Sequence, residues 1–424
     1  MEAYLIDWAN LLVRWLHIIA GVAWIGASFY FVMLDTSLKP PKKEEDKKRG
    51  VFGELWAVHG GGFYSSQKYL TGPTGEPLTH ELHWSKWEAY TTWLSGMGLM
   101  AIVYWAGAKS HLIDPSVMAL SQPAAIGLSL GFLAGGWVVY DLLCRGLRGR
   151  DDLLAGVLFV FVVACSWGVH QVFSGRGAYI HIGAMLGTMM MLNVFFHIIP
   201  GQKRMVAQIR AGEEVDPLPG IIGKQRSVHN TYFTLPVLFT MISSHYPMTY
   251  SHSNAWLVLV VLMLAGVLIR QFFVLRHKGE AKLWLPAAGA TLIVILMVLM
   301  APERVDASGE PVHFTQVQQV LNDRCVSCHA AQPTQPGFIQ PPNGIVLETP
   351  QQILMHATKS AESIASGYMP IGNLTQMTDE ERKLISIWVA QGARLDTGET
   401  PPDIDLDQEG SPAAENEREP LPNP

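Results

Sequence analysis

The residues best suited to chemistry are two thiols and an imidazole at 325–329, where the chain reads Cys-Val-Ser-Cys-His. Two cysteines separated by two residues and followed by histidine form the attachment sequence of a c-type haem. Each sulfur bonds to the porphyrin, and the imidazole binds the iron. We therefore predict one covalent haem c held by Cys325, Cys328 and His329. Such a haem transfers electrons and is attached outside the cytoplasm, so this part of the chain is expected to lie there.

A zinc site is the alternative interpretation of this motif. It would need a second pair of ligands at a matching spacing. Only His313 and His356 lie nearby, and the other two cysteines, Cys144 and Cys165, lie far away in apolar stretches. We interpret those two as small buried hydrophobic side chains. The motif therefore favours haem over zinc.

A long apolar region precedes the motif. Of the 424 residues, 49% are hydrophobic and 16% are charged, whereas about 25% are charged in a typical soluble protein. Runs of about 20 apolar residues predict helices that span a bilayer. Eight such runs are found, at residues 9–34, 84–107, 123–143, 151–173, 179–200, 229–247, 253–275 and 283–301. The predicted fold class is all-α: a polytopic membrane bundle of eight spans followed by a small helical domain.

The loops that connect successive predicted spans alternate between two sets with different numbers of basic residues. One set holds 18 Lys and Arg, and the other holds 2. The basic set lies at 35–83, 144–150, 201–228 and 276–282. The other set lies at 108–122, 174–178 and 248–252. Because cytoplasmic loops carry an excess of Lys and Arg, we predict that the basic set is cytoplasmic and that both termini are external. The haem motif independently requires an external C-terminus.

The chain divides into three parts by charge and polarity. Residues 1–301 hold 23 basic and 18 acidic residues, whereas residues 302–424 hold 7 and 18. We predict an integral membrane domain at 1–301, a haem domain at 302–398 and a disordered, acidic and proline-rich tail at 399–424. Within the haem domain, Thr378-Asp-Glu-Glu is a capping box that predicts the start of a helix. No nucleic-acid partner is expected.

The region around the motif resembles a class I cytochrome c domain over residues 310–395. A proline follows Met369, forty residues after His329, and the capped helix comes later. The resemblance implies that Met369 is the distal iron ligand opposite His329. A thioether ligand raises the reduction potential of the iron, which suits an electron acceptor. Met355 and Met377 are the alternative distal ligands.

Histidines in the predicted spans are candidate ligands for a haem b, because ionisable groups inside a bilayer are costly and mark functional sites. Two neighbouring spans each carry histidines sixteen residues apart, His181 and His197 on one, His229 and His245 on the other. Sixteen residues of helix rise by about 24 Å. Paired across the two antiparallel spans, these side chains would suit haems at two depths.

Other observations leave the membrane haem open. Sixteen residues turn a straight helix by about 160°, so both histidines of one span face the same way only if the helix bends. His17 and His170 are alternative ligands near the outer surface. Each of these histidines can also be interpreted as an interfacial side chain hydrogen-bonded to a loop.

The loop at 35–83 contains the stretch His-Gly-Gly-Gly-Phe-Tyr-Ser-Ser-Gln-Lys-Tyr at 59–69. Glycines allow the backbone to approach a ligand or a wall closely. Phe63, Tyr64, Gln67 and Lys68 offer stacking faces, an amide and a cation, which suit a flat, polar, anionic heterocycle. The same residues also suit a re-entrant loop tucked under the bundle, and the sequence does not choose between these interpretations.

Three stretches of the apolar region carry a resemblance to a known family: HGGGFYSSQKYL, PLTHELHWSKWEAYTTWLSG and HNTYFTLPVLFTMISSHYP. Joined to a cytochrome c motif, they resemble the membrane-bound urate hydroxylases (urate oxidases) of bacteria. The resemblance implies oxidation of urate to 5-hydroxyisourate with oxygen from water and without hydrogen peroxide. It also implies a place in the inner membrane and transfer of electrons through haem c to a terminal oxidase or a soluble cytochrome c.

Urate has amide-like edges and a delocalised negative charge, and these properties guide the choice of site residues. The candidates for pairing with an edge or holding the charge are Gln67, Asn230, Lys68 and Arg270. The candidates for stacking on the ring are Phe63, Tyr64, Tyr232 and Phe233. His229 or Glu88 is the predicted general base that accepts a proton from the attacking water. All lie toward the predicted cytoplasmic side.

A second interpretation is a membrane electron-transfer subunit without a substrate site. It would relay electrons from quinol or a partner dehydrogenase to a c-type cytochrome or an oxidase. The glycine-rich stretch at 59–69 favours the enzyme, because a relay has little need of it. An oxidase-like protein with a binuclear centre ranks last, since its histidines would have to lie at one depth.

Overall fold

The computed structural model describes residues 2–301, 305–336 and 338–395. Its contacts divide the chain into two units. The membrane unit is Met1–Glu303 with Ser366–Gln376, and the C-terminal unit is Arg304–Ala365 with Met377–Pro424. The predicted tail at 399–424 lies outside the described residues, as does the end of the predicted haem domain.

Helices occupy all eight of the predicted runs of the membrane unit. The long ones are α1 (Glu2–Ser37), α3 (Trp87–Leu99), α5 (Gln122–Gly146), α6 (Asp151–His170), α7 (Gly175–Asn193), α8 (Ile199–Ala211), α9 (Leu218–Ile242), α11 (Ala255–His277) and α12 (Trp284–Leu299). The short ones are α2 (Glu44–Lys48), α4 (Ala108–His111) and α10 (Pro247–Tyr250). Two π-helical turns, Met100–Trp105 and Val194–Ile198, extend α3 and join α7 to α8.

Several of these helices have the length and hydropathy of membrane spans. Among the described residues five qualify: Tyr4–Ser37, Gln122–Gly146, Asp151–His170, Gly175–Ala211 and Ala255–His277. A shorter apolar helix covers Trp284–Leu299. The protein therefore has the character of a membrane protein, and the count of eight spans stays a prediction.

A β-hairpin forms where the sequence predicted a loop. Strand β1 (Val51–His59) pairs antiparallel with β2 (Gly62–Tyr69), and His59 lies opposite Gly62. Gly60 and Gly61 make the turn with φ angles of 58° and 81°, and tight hairpin turns need positive φ at both central residues. The fold is thus mostly helical, as predicted, with one small two-stranded sheet, and the segment predicted as a loop or re-entrant stretch is instead a β-hairpin.

Helix α7 lies at the centre of the membrane unit. It belongs to the span Gly175–Ala211, in which 61% of an apolar 18-residue stretch is buried, the largest share among the five spans. Tyr179, Ile182 and Met185 are fully buried in the main hydrophobic core. Small residues let its neighbours approach closely, since a Cβ atom built on Gly183 would lie 2.0 Å from Thr240 Oγ1 of α9.

We expect Gly183→Ala to destabilise the membrane unit and Gly187→Ala to leave it unchanged or slightly stabilise it. Overpacking a tight core costs about 1–3 kcal/mol. No atom lies within 4 Å of a Cβ built on Gly187, and alanine there gains about 0.5–1 kcal/mol of helix stability. The thermal midpoints of the two variants in detergent test this prediction. Equal midpoints would contradict close packing of α7 on α9.

In its described residues, the C-terminal unit has five α-helices and the 3-10 turn Pro342–Gly344. The α-helices are α13 (Phe314–Arg324), α14 (Val326–His329), α15 (Pro350–Met355), α16 (Ala357–Ala365) and α17 (Asp379–Ala390). Helix α17 begins at the predicted capping box, since Thr378 Oγ1 accepts from the Glu381 backbone N–H at 3.3 Å. The capped helix is therefore confirmed. It packs on α13 through Phe314 and Trp388, whose ring centroids are 5.8 Å apart.

Candidate functional site

Polar side chains from three helical segments meet beside the C-terminal half of α5. On each segment they are spaced by one, three or four residues, and residues three or four apart share one face of a helix. We call them the polar cluster: Tyr140, Asp141 and Cys144 of α5, Asn193 and His197 at the end of α7 and its π turn, and Arg226, His229 and Asn230 of α9.

Asp141 is the centre of the cluster because three donors converge on its carboxylate. Arg226 Nη2 donates to Oδ1 at 2.6 Å and His197 Nε2 at 2.7 Å, while Arg145 Nε donates to Oδ2 at 2.7 Å. The side chains of Arg226 and Asp141 are only 2% and 7% exposed. Removing such charges from water costs several kcal/mol each, so a buried set inside a membrane bundle indicates a functional site.

A chain of directed hydrogen bonds extends from Arg226 to His229. Arg226 Nη1 donates to Asn193 Oδ1 at 3.4 Å. The Asn193 amide donates to Tyr140 Oη at 2.8 Å and to Asn230 Oδ1 at 2.9 Å. The Tyr140 hydroxyl and His229 Nδ1 are hydrogen-bonded at 2.8 Å, which links His229 to the rest of the cluster.

A cavity of about 310 Å³ opens beside the cluster. We call it the arginine cavity, lined by Cys144, Arg145, Arg148, Phe196, His197, Ile222, Gln225 and Arg226. Three guanidinium groups and one amide offer hydrogen-bond donors in planar forks, which match the geometry of delocalised anions. Phe196 and Ile222 supply apolar walls. The cavity is thus suited to a flat anion with polar edges.

The comparison with known families covers this region. A family model described as urate oxidase N-terminal matches residues 3–301. The chain belongs to this family. No curated protein and no solved structure matches the chain. The match confirms the urate oxidase family that the resemblance implied, and it indicates an oxidoreductase that acts on urate. The membrane-bound form and the fused cytochrome c stay predictions. The arginine cavity lies entirely within the matched residues.

Several residues of the polar cluster were missed by the sequence analysis. Arg226 was assigned to the loop at 201–228, but α9 begins at Leu218 and carries it inside the bundle. Asp141 lies in the predicted span 123–143 and is the one acid there, so the cost of an intramembrane charge could have marked it. Its partners Arg226 and His197 come from other helices, so no local sequence pattern indicates them.

The predicted substrate residues are divided among three places. Phe63, Tyr64, Gln67 and Lys68 lie on strand β2 of the hairpin. Phe63 is 78% exposed, and Lys68 Nζ pairs with Asp35 at 2.6 Å. None of the four is among the described residues that line the arginine cavity.

Two other predicted substrate residues lie inside the bundle. Asn230 belongs to the polar cluster, where its amide donates to the Met190 carbonyl at 3.1 Å. Arg270 of α11 lies elsewhere, with its guanidinium 4.1 Å from the Phe29 ring centroid. Within the described part of the chain, Arg270 Nε and Nη2 are buried without a hydrogen-bond partner. The nearby stacking candidate Tyr232 donates to Gln271 Oε1.

The two predicted general bases occupy different settings. His229 belongs to the polar cluster through Tyr140. Phe233, which was predicted to stack on urate, has its ring centroid 6.3 Å from that of His229. Glu88 lies in the first turn of α3. Neither is among the described residues that line the arginine cavity, whereas His197 is.

Four of the histidines predicted to bind haem b, namely His17, His170, His181 and His197, are hydrogen-bonded to other kinds of group. His17 Nδ1 lies 2.9 Å from the Thr92 carbonyl, and His170 Nδ1 lies 2.7 Å from the Ser166 carbonyl. His181 is fully buried, with Nδ1 bonded to Gly177 O and Nε2 2.6 Å from Ser129 Oγ. His197 bonds to Asp141, and His245 ends a 3-10 turn. A membrane haem therefore stays a prediction.

The CxxCH motif forms a short turn in the C-terminal unit. Cys325 caps α13, α14 covers the following residues to His329, and both thiols are free. His329 Nδ1 lies 2.9 Å from the Ile345 carbonyl. Such a bond orients a ligating imidazole and leaves Nε2 for the metal. The two thiols and the anchored ring therefore fit a c-type haem.

The described residues offer no alternative metal centre around this motif. No group of three or more His, Cys, Asp or Glu side chains in 2–301, 305–336 and 338–395 is arranged to hold a metal ion. Burial raises the pKa of the Cys325 thiol to about 12 and also raises the pKa of the Cys328 thiol.

Proposed function

We propose that this protein oxidises urate to 5-hydroxyisourate at the arginine cavity, with the hydroxyl oxygen taken from water. The electrons pass to the respiratory chain, and no hydrogen peroxide forms. The observation that carries the proposal is a cavity lined by three guanidinium groups inside the residues matched by the urate oxidase family.

The chemistry of the cavity matches the chemistry of urate. Urate is flat, and its negative charge is spread over carbonyl oxygens and ring nitrogens. Guanidinium forks of Arg145, Arg148 and Arg226 can donate to such acceptors, and charge-assisted hydrogen bonds are about twice as strong as neutral ones. Phe196 offers a ring face at the wall. We therefore place urate here rather than at the hairpin.

The C-terminal unit supplies the residues that would attach the electron carrier: Cys325 and Cys328 would bond to a c-type haem, and His329 would bind its iron. The predicted distal ligand, Met369, belongs to the segment Ser366–Gln376, which groups with the membrane unit. When bound, this haem supplies one-electron redox chemistry at a potential raised by the thioether ligand. The acceptor beyond it is a terminal oxidase or a soluble cytochrome c.

The direct test uses isolated membranes containing the full chain under anaerobic conditions. Adding urate is expected to produce the reduced spectrum of haem c. Without dioxygen as the final acceptor, the electrons from urate remain on the haem. Haem reduction by quinol with indifference to urate would instead support an electron-transfer subunit. A pyridine haemochrome spectrum of the same sample separates haem c from haem b.

We expect Arg148→Gln to weaken urate binding and Arg150→Gln to leave it unchanged. Both arginines are exposed, but only Arg148 is among the described residues that line the cavity. A hydrogen bond to a charged group contributes about 1.5–3 kcal/mol, so KM for urate should rise roughly 10- to 100-fold. Steady-state kinetics with varied urate measures this. Equal KM values for the two variants would show that urate does not bind in this cavity.

A further inference from the structure

The bond between Asp141 and His197 fixes which nitrogen of the imidazole carries a proton. Asp141 accepts from Arg226 and Arg145 as well as from His197. Guanidinium groups can only donate hydrogen bonds, so both oxygens of Asp141 already act as acceptors. The hydrogen in the 2.7 Å contact therefore belongs to His197 Nε2. In the neutral ring, Nδ1 is then the free acceptor.

His197 also lies where a reacting water can reach it. It lines the arginine cavity, and its side chain is 14% exposed. The π turn Val194–Ile198 carries it, and π turns inside α-helices are frequent at functional sites. The charged groups that face it are Asp141 and Arg145 of α5 and Arg226 of α9, with Arg148 further along the cavity wall.

The other histidine of the cluster is less suited to take a proton. His229 Nδ1 is already engaged in a hydrogen bond with the Tyr140 hydroxyl at 2.8 Å. His229 is also absent from the cavity wall in the described part of the chain. Its place in the hydrogen-bond chain suits it to positioning Tyr140 and Asn193.

We infer that His197 is the general base of this site and that Asp141 is its positioning residue. The inference rests on the proposed function, since it concerns oxidation of urate by water. It replaces His229 and Glu88 in that role. A carboxylate that holds an imidazole in one tautomer and leaves the other nitrogen facing the substrate is a recurrent arrangement in enzymes that activate a nucleophile.

In the proposed oxidation, urate and one water give 5-hydroxyisourate, two protons and two electrons. The water oxygen bonds to C5 of the purine while one water proton passes to His197 Nδ1, and a ring nitrogen of urate loses the second proton. The two electrons go to two equivalents of a one-electron acceptor, such as ferricyanide in the assay. His197 then returns its proton to solvent.

The test measures urate oxidation by the full chain in detergent with ferricyanide as acceptor over a range of pH. His197→Gln is expected to lower kcat about 10²- to 10⁴-fold, the usual contribution of a general base. KM should change less than about threefold, because the interaction is made in the transition state. Wild-type kcat should fall at acid pH, and His197→Gln should lack that acid limb.

Two further variants separate a base from a structural residue. Added imidazole is expected to restore part of the turnover of His197→Ala, because the space left by the ring adjoins the cavity. His229→Gln is expected to keep the acid limb, whatever its effect on the maximal rate. Equilibrium dialysis should show that His197→Gln still binds urate.

Each outcome has a distinct meaning. A His197→Gln protein with the wild-type kcat and pH profile would overturn the inference and leave the proposed function standing. A raised KM with unchanged kcat would also overturn it, because His197 would then only bind substrate. Failure of the wild-type chain to oxidise urate would overturn the proposed function itself.

Discussion

Replacing Arg226 with methionine is expected to cost the membrane unit about 3–5 kcal/mol of stability, the usual penalty for breaking a buried ion pair. Arg226 is 2% exposed and Asp141 7%, so the remaining carboxylate stays away from water. Arg145 compensates little because it is 59% exposed. The yield of folded protein and its thermal midpoint in detergent measure the loss, with exposed Arg150→Met as the control.

The double variant Asp141→Leu/Arg226→Met separates stability from function. Replacing both charges with apolar groups of similar size is often neutral or stabilising, so the thermal midpoint should return toward the wild-type value. Urate turnover should stay lost, because the cavity lacks one guanidinium and His197 lacks the carboxylate that orients it. A double variant as unstable as the single one would mean that packing at Arg226, rather than charge, holds the helices. Wild-type urate turnover in the double variant would show that the polar cluster is not part of the catalytic site.

The helices of the membrane unit were predictable because their signal is local. An apolar run of about 20 residues has few alternatives to a helix in a bilayer, since every backbone polar group must be satisfied within the segment. The capped helix α17 was predictable for a similar reason. Thr378 and Glu381 are three residues apart, and the capping box they form depends on nothing outside that turn.

The hairpin was not predicted, because the glycines at 60–62 were interpreted as freedom to approach a ligand. Their role is conformational: Gly60 and Gly61 adopt the positive φ angles of a tight turn. Two-residue glycine turns between strands are a known hairpin signal. The flanking segments Val51–His59 and Gly62–Tyr69 carry β-branched and aromatic residues that favour strands.

The site was only partly predictable because its contacts are long-range. His197, His229 and Asn230 were identified as intramembrane polar groups, and all three belong to the polar cluster. Their partners could not be assigned, since Asp141 is 56 residues from His197 and 85 from Arg226 in the chain. The spacing of His181 and His197 was interpreted on a regular helix, and the π turn at Val194–Ile198 changes the direction in which His197 points.

Replacing Cys328 with alanine is expected to abolish urate-dependent electron transfer to the respiratory chain. The variant loses one of the two thioether bonds predicted for the haem, and maturation of the covalent cofactor should be impaired. Cys165→Ala is the matched control, because Cys165 lies in α6, outside the motif, and no disulfide involves it. Haem staining of the denatured chain and oxygen uptake with urate measure the two effects. A stained, active Cys328→Ala protein would contradict attachment at this motif.

Met369→Ala tests the distal side of the same centre and has a different expected result. Covalent haem should be retained, because both thiols and His329 remain. The reduction potential should fall and turnover should slow, since a thioether ligand stabilises the reduced iron. Met355, 76% exposed, and Met377, 3% exposed, provide the matched substitutions. Potentiometric titration decides among the three methionines: the distal ligand is the one whose replacement lowers the potential, and an unchanged potential in Met369→Ala would transfer that role to another methionine.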